Sequence, residues 1–150
     1  MKAIIVLIFF VLASLSADET IGTKCTTSEL IDVGFNEDYR QVNETKNGIY
    51  VVHIPSIKYD KNTKIAKVWI AYLLYKSTKR EQAYEKVSCL IDYKNDKYKI
   101  LSKILYSCDG NVIESFKVNY ENLNTIGWED TVPGSGMEEI ARRIKVSQEF

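Results

Sequence analysis

From Tyr39 onward apolar and polar positions alternate in short runs, and one stretch near the C-terminus repeats its apolar residues at helical spacing. Tyr39 to Glu44 ("YRQVNE") alternates as a half-buried strand does. Lys46 to Gly48 ("KNG") follows as a hairpin turn, because Asn and Gly tolerate positive φ. Ile49 to Ile54 ("IYVVHI") returns as the second strand, and Pro55, which cannot donate to a ladder, is expected to end it. A turn at Tyr59 to Lys64 ("YDKNTK") leads into Ile65 to Tyr75 ("IAKVWIAYLLY"), apolar on both faces from Val68. Its β-branched and aromatic content predicts a central strand covered on both sides rather than a buried helix.

The apolar pattern also chooses the registers of two later hairpins. With a turn at Lys94 to Lys97, Tyr93 opposes Tyr98, and Val87, Cys89 and Ile91 fall opposite Ile104, Ser102 and Ile100. Directly opposed residues share a face, and this one is largely apolar. The other face then carries Lys86, Asp92, Lys97, Lys99 and Lys103, with Leu90, Leu101 and Leu105 among them. At Asp109 to Asn111 ("DGN") a two-residue loop sets Ile104 opposite Ser115 and leaves Phe116 facing out. A three-residue loop sets Ile104 opposite Phe116 and keeps the apolar face continuous, so it is the one predicted. The result is a meander of about six antiparallel strands, an ordinary sheet size.

The last element is a helix. Ser135 and Glu138 have capping-box spacing. Met137, Ile140, Ala141 and Ile144 form one apolar stripe. Glu138 to Arg142 and Glu139 to Arg143 are i,i+4 pairs in the favourable order, and the acidic start and basic end suit the helix dipole. Such a stripe needs a surface to bury against, and one face of the sheet supplies it. The predicted class is therefore α+β: an antiparallel meander of about six strands with a C-terminal helix packed on one face. Asp18 to Glu37 is polar with weak periodicity and reads as an N-terminal arm.

Composition adds little to this, and the N-terminus adds more. The length of 150 residues suggests one domain, and twenty basic against twenty acidic residues with no long basic run disfavour a nucleic-acid partner. Lys2, the apolar run Ala3 to Leu12 and the small residues Ser14 to Ala17 read as a secretory signal peptide, too short to span a bilayer. Cleavage is expected after Ala17, with Ser16 the alternative. The organisation is then a signal peptide over 1–17, an arm over 18–37 and a domain over 38–146, with no membrane span and an oxidising compartment for the mature chain. Three cysteines remain there. In the predicted register Cys108 lies about 20 Å along the strand from the residue opposite Cys89. A disulfide needs Cα atoms within about 7 Å, so any pairing should use Cys25, which can reach either.

Candidate chemistry is sparse. His53 is a lone strand histidine, and no His or Cys pair has zinc-site spacing. Ser135 lacks the Gly-x-Ser-x-Gly setting of a nucleophile and is explained as a helix cap. Gly134 and Gly136 could present amides to a phosphate, but no P-loop lysine follows, and Glu138 and Glu139 repel an anion. No acid, base and nucleophile come together, so no enzyme, cofactor or metal site is predicted. Trp69 and Trp128 read as structural, Trp128 as a packing anchor beside a turn. Lys97, Lys99 and Lys103, with Leu101 and Leu105 between them, would make a mixed cationic and apolar stripe suited to an acidic protein or glycan. The competing reading is a solvated, edge-protecting strand face.

"AKVWIAYLLY" with Trp69, "DYKNDKYKILSKILYSCDGNVIES", and Trp128 followed by "VPGS" and the helix resemble the bacterial surface-adhesin protein E-like family. The resemblance covers roughly Tyr39 to Lys145. It implies an antiparallel sheet with a C-terminal helix packed on it, and export to the periplasm, the outer-membrane surface or the medium. In some members it implies binding to host extracellular-matrix proteins. It also implies a cysteine before the "KNDKYK" turn and another near the end of the helix, joining sheet to helix. Tyr93 and Lys145 stand at those places, so the helix is expected to be held by Trp128, Met137, Ile140 and Ile144. The expected function is an exported, non-enzymatic binding module, an adhesin. The alternative is a periplasmic structural or small-ligand-binding domain with no host role. The oligomeric state is left open.

Overall fold

The computed structural model describes residues 24–75 and 82–148. The expected signal peptide and the start of the arm lie outside the described residues. In chain order the elements are α1 (Thr27–Asp32), β1 (Tyr39–Thr45), β2 (Gly48–Asp60), β3 (Ile65–Leu74), β4 (Tyr84–Asp92), β5 (Lys97–Tyr106), β6 (Val112–Lys117), a 3₁₀ turn (Tyr120–Asn122), β7 (Glu129–Asp130) and α2 (Gly136–Gln148). Strands β1 to β6 form an open antiparallel sheet in sequence order, and the short β7 adds to β5 at Lys97 and Tyr98. This is the predicted α+β meander with its C-terminal helix.

Strand alternation divides the apolar residues between two cores. On one face Val52, Val68, Ile70, Cys89 and Ile91 pack with Ile140, Ala141 and Ile144 of α2. On the other, Ile49, Val51, Ala71, Leu73 and Tyr84 pack with Cys25 and Leu30. Both parities of β3 are therefore buried, which is why its sequence lacks alternation. The arm is what covers the second face. It is not featureless: α1 opens with a capping box in which the Thr26 hydroxyl accepts from Glu29 N at 3.2 Å and the Glu29 carboxylate accepts from Thr26 N at 2.8 Å.

Two fastenings hold that segment. A disulfide joins Cys25 to Cys108 beyond β5, with Cα atoms 5.4 Å apart. Pairing through Cys25 was the expectation. Cys89 is the free thiol, buried in the helix-side core, and burial pushes it up to about 12. The second fastening is the ammonium of Lys86 on β4. It lies 4.9 Å from the Phe35 ring centroid and 5.7, 5.9 and 5.7 Å from those of Tyr39, Tyr84 and Tyr106. Burial lowers the Lys86 pKa, while four electron-rich ring faces favour its charge.

Three sequence expectations need correction. Pro55 does not end β2, which runs on to Asp60 with a break in register between His53 and Lys58. Within the break the Ser56 hydroxyl donates to His53 O at 2.6 Å and accepts from Trp69 N at 2.9 Å, so a side chain replaces the missing ladder bonds. In the β4–β5 hairpin Ile91 opposes Tyr98 and Cys89 opposes Ile100. The four-residue turn sits one residue earlier than predicted, because the Asp92 carboxylate accepts from Lys94 N and Asn95 N and Asp96 takes φ 54°. A bulge at Leu101 then shifts the pairing by one, so that Val87 opposes Lys103. In the β5–β6 hairpin Ile104 opposes Ser115 and Phe116 faces out, which is the register rejected above. The bulges, not a continuous apolar face, decide these pairings.

The C-terminal helix follows its sequence more closely. Ser135 Oγ accepts from Glu138 N at 3.2 Å, as a cap should. The Glu138 carboxylate accepts from Gly134 N at 2.6 Å, and this removes it from the expected pair with Arg142. Glu139 instead takes Arg142 at 2.6 Å and Arg143 at 2.7 Å. Glycine at 136 is required because a Cβ there would stand 2.6 Å from the Tyr50 ring, so the helix begins in contact with the sheet. Trp128 is not one of the residues that hold it. Its ring lies 5.0 Å from the Lys99 ammonium, and Lys99 opposes Leu90 on the face away from α2.

Candidate functional site

The stripe of Lys97, Lys99, Leu101, Lys103 and Leu105 does not form one surface. The bulge at Leu101 sends Lys97 and Lys99 to the face away from α2, and Lys103 and Leu105 to the face shared with Val87. Lys99, Leu101 and Leu105 are also buried. The Lys99 ammonium donates to Leu123 O at 3.1 Å beneath the Trp128 ring. Lys97 pairs with Asp130 at 3.2 Å and Lys103 with Glu85 at 2.8 Å. These lysines join elements of the fold, and β7 is one of the elements they secure.

The other singled-out residues are also structural in their contacts. Trp69 faces away from α2 beside a small cleft of about 140 Å³ that Leu101 and Leu123 also line. His53 lies against the Tyr39 ring at 4.9 Å. Ser135, Glu138, Ile140 and Ile144 cap or bury α2. Gly134 takes φ 77°, and its amide is already bonded to Glu138. The stretch from Trp128 to Ile144 is thus a clamp: Tyr98 donates to Glu129 at 2.8 Å, Lys97 meets Asp130, and the helix follows.

The surface that stands out lies one strand further on. Every residue of β6 is exposed, and Val112, Ile113 and Phe116 are 58%, 39% and 56% exposed. Phe116 sits beside Lys103 across the β5–β6 ladder. Among the described residues no strand pairs with the outer edge of β6. An edge strand with large exposed apolar side chains is adhesive, because an incoming chain can extend the sheet there and bury that apolar surface. The sequence signal for this edge was the out-facing Phe116 of the two-residue loop, which was set aside because it interrupted an apolar face.

No protein-family model and no curated protein sequence matches the chain. Solved structures do. One structure of Haemophilus influenzae protein E superposes with a TM-score of 0.55 at 14% identity, over 79% of this chain and 94% of the other. A second gives 0.52 at 12% identity, over 77% and 89%.

The chain has a protein E-like fold.

The match extends over most of each solved protein E chain, so it is a likeness of the fold as a whole rather than of one hairpin. Within this protein E-like fold Tyr93 is buried in the core that α2 covers. Tyrosine packing thus stands where the sequence resemblance implies a cysteine. No helix among the described residues is long and apolar enough to cross a membrane.

Proposed function

We propose that this chain is an exported bacterial envelope or surface protein, a non-enzymatic binding module whose partner is an extracellular-matrix protein. The observation that carries the reading is β6, the last strand in the sheet order, with three exposed apolar side chains on a protein E-like scaffold. The partner supplies an extended segment that adds to β6 as a further strand. Main-chain hydrogen bonds give the affinity in this mode, and alternate side chains give the selectivity. Phe116, beside the Lys103–Glu85 ion pair, and Ile113 present apolar side chains, which suits a segment with alternate apolar residues.

Two measurements test this. Surface labelling of intact cells should tag the protein, and a strictly periplasmic location counts against adhesion. Binding to immobilised matrix proteins should weaken at least tenfold in a Phe116→Ser, Ile113→Lys variant. Both side chains are exposed, so its melting temperature should hold. Undiminished binding by the folded variant moves the contact off β6. No binding by the wild type to any matrix protein refutes the adhesin reading.

A further inference from the structure

A cleft of about 520 Å³ lies between the C-terminal half of α2 and the region where β1 begins beside β2. Its origin is topological. β1 starts at Tyr39, opposite His53, so beyond that pair β2 has no ladder neighbour on its outer side among the described residues. A single backbone bond, Ile54 N to Asp38 O at 2.8 Å, closes the corner. The irregular stretch around Pro55 carries Ile54 and Ile57 into the gap, and α2 hangs over it with Ile144 and Val146. The floor is therefore aliphatic. Ile54 and Val146 remain 38% and 42% exposed, so this floor is open to water.

The rim has one sign of charge. Arg40, Arg142 and Arg143 line the cleft. Arg142 and Arg143 share the single carboxylate of Glu139, and among the described residues Arg40 has no ion-pair partner. Three guanidiniums against one carboxylate leave the rim with a net charge of two positive (three minus one). Guanidinium forks match a carboxylate in a planar, two-point fashion. The volume lies within the roughly 300–1,000 Å³ of small-molecule sites, which are likewise mostly apolar with a few placed polar groups. A concave, aliphatic cleft with a cationic rim complements a ligand with an apolar tail and an anionic head. It does not complement a flat surface.

We propose that the cleft between α2 and β2 binds single-chain amphiphiles with a carboxylate head, that is, long-chain fatty acids. The alkyl tail lies on the floor formed by Val52, Ile54, Ile57 and Ile144. The carboxylate meets the guanidiniums of the rim. Both tail length and head charge matter: each fully buried methylene strengthens binding about fourfold. The site is distant in the sheet order from β6, at its opposite edge, and does not depend on the matrix-protein reading.

The test is calorimetric titration with laurate below its micellar range. Octanoate and dodecyltrimethylammonium serve as short-tailed and cationic comparators. Laurate should bind saturably at one per chain. Octanoate should bind at least tenfold more weakly, and dodecyltrimethylammonium should not bind. Arg40→Gln and Ile54→Glu should each weaken laurate at least tenfold while the melting temperature shows a folded protein. If Ile54→Glu fails to fold, Val146→Glu makes the same test from the helix. The Phe116→Ser, Ile113→Lys variant should bind laurate as the wild type does, which separates this site from β6. The proposal is overturned by an absence of saturable laurate binding, by equal binding of the cationic comparator, or by laurate binding unchanged in the folded variants. Sedimentation with phosphatidylglycerol vesicles that laurate does not compete away would also overturn it, making this a bilayer-docking face.

Discussion

Removing the Cys25–Cys108 disulfide should destabilise this protein strongly, because the bridge ties the N-terminal arm to the sheet. The bridge closes a loop with a sequence separation of 83. Chain-entropy loss of 2.1 plus 1.5R ln n cal/mol/K then corresponds to about 4.5 kcal/mol at 25 °C. With an unfolding entropy of roughly 2.1 cal/mol/K per residue over about 125 residues, this corresponds to a fall of about 17 °C in melting temperature. Measured effects often come in below the loop model, so a fall of roughly 10–17 °C is the expectation for the Cys25→Ser, Cys108→Ser double variant. Thermal and urea unfolding by circular dichroism would measure it. The urea slope should also rise, because the unbridged denatured chain exposes more surface. Thiol titration of the wild type supplies the companion check. Cys89 is fully buried, so no thiol should react in the native state and one should react after unfolding. A fall below about 3 °C with an unchanged slope, or peptide mapping that pairs Cys89, would refute the reasoning.

Smaller perturbations should rank as their contacts do. Ile140 is 1% exposed in the helix-side core, so Ile140→Ala should cost about 2–5 kcal/mol in urea unfolding. Ser135→Ala removes the acceptor of Glu138 N and should cost about 1 kcal/mol, with no loss of binding in a folded sample. Glu139 is held down to about 2, from an ordinary 4.5, chiefly by its hydrogen bonds to Arg142 and Arg143. A depressed carboxyl stabilises the fold above its unfolded pKa, so this contribution should be present above pH 4.5 and lost as pH falls toward 2. Melting temperatures of the wild type and a Glu139→Gln variant, measured across that window, should converge at the acid end. Curves that stay parallel would show that the arginine pair contributes nothing.

Elements that depend on local chemistry can be read along the chain. The α2 stripe, its Ser135 cap, the alternation of β1 and the two-faced apolar run of β3 were all legible, because caps and residue patterns act over a few residues. The inward parity of Val87, Cys89, Ile91 and Tyr93 was legible for the same reason. Pairing through Cys25 followed from strand geometry even though the hairpin register behind that argument was two residues off near the turn. Where the ladders slip depends on the assembled sheet. A bulge at Leu101 costs one residue of register, and with a side-chain period of two that single residue moved Lys103 and Leu105 to the opposite face from Lys97 and Lys99. It also dissolved the expected binding stripe. The same holds at Pro55, where a break kept β2 running and, together with the late start of β1 and the overhang of α2, opened the cleft. The arm looked uncommitted because its apolar residues show no clear period, yet Cys25, Leu30, Val33 and Phe35 are the ones that pack on the sheet. Their role appears only when the second face of the sheet stands opposite them. Local signals choose strand or helix, but which residues meet across the sheet is decided by bulges whose cost and benefit are shared among strands far apart in the chain.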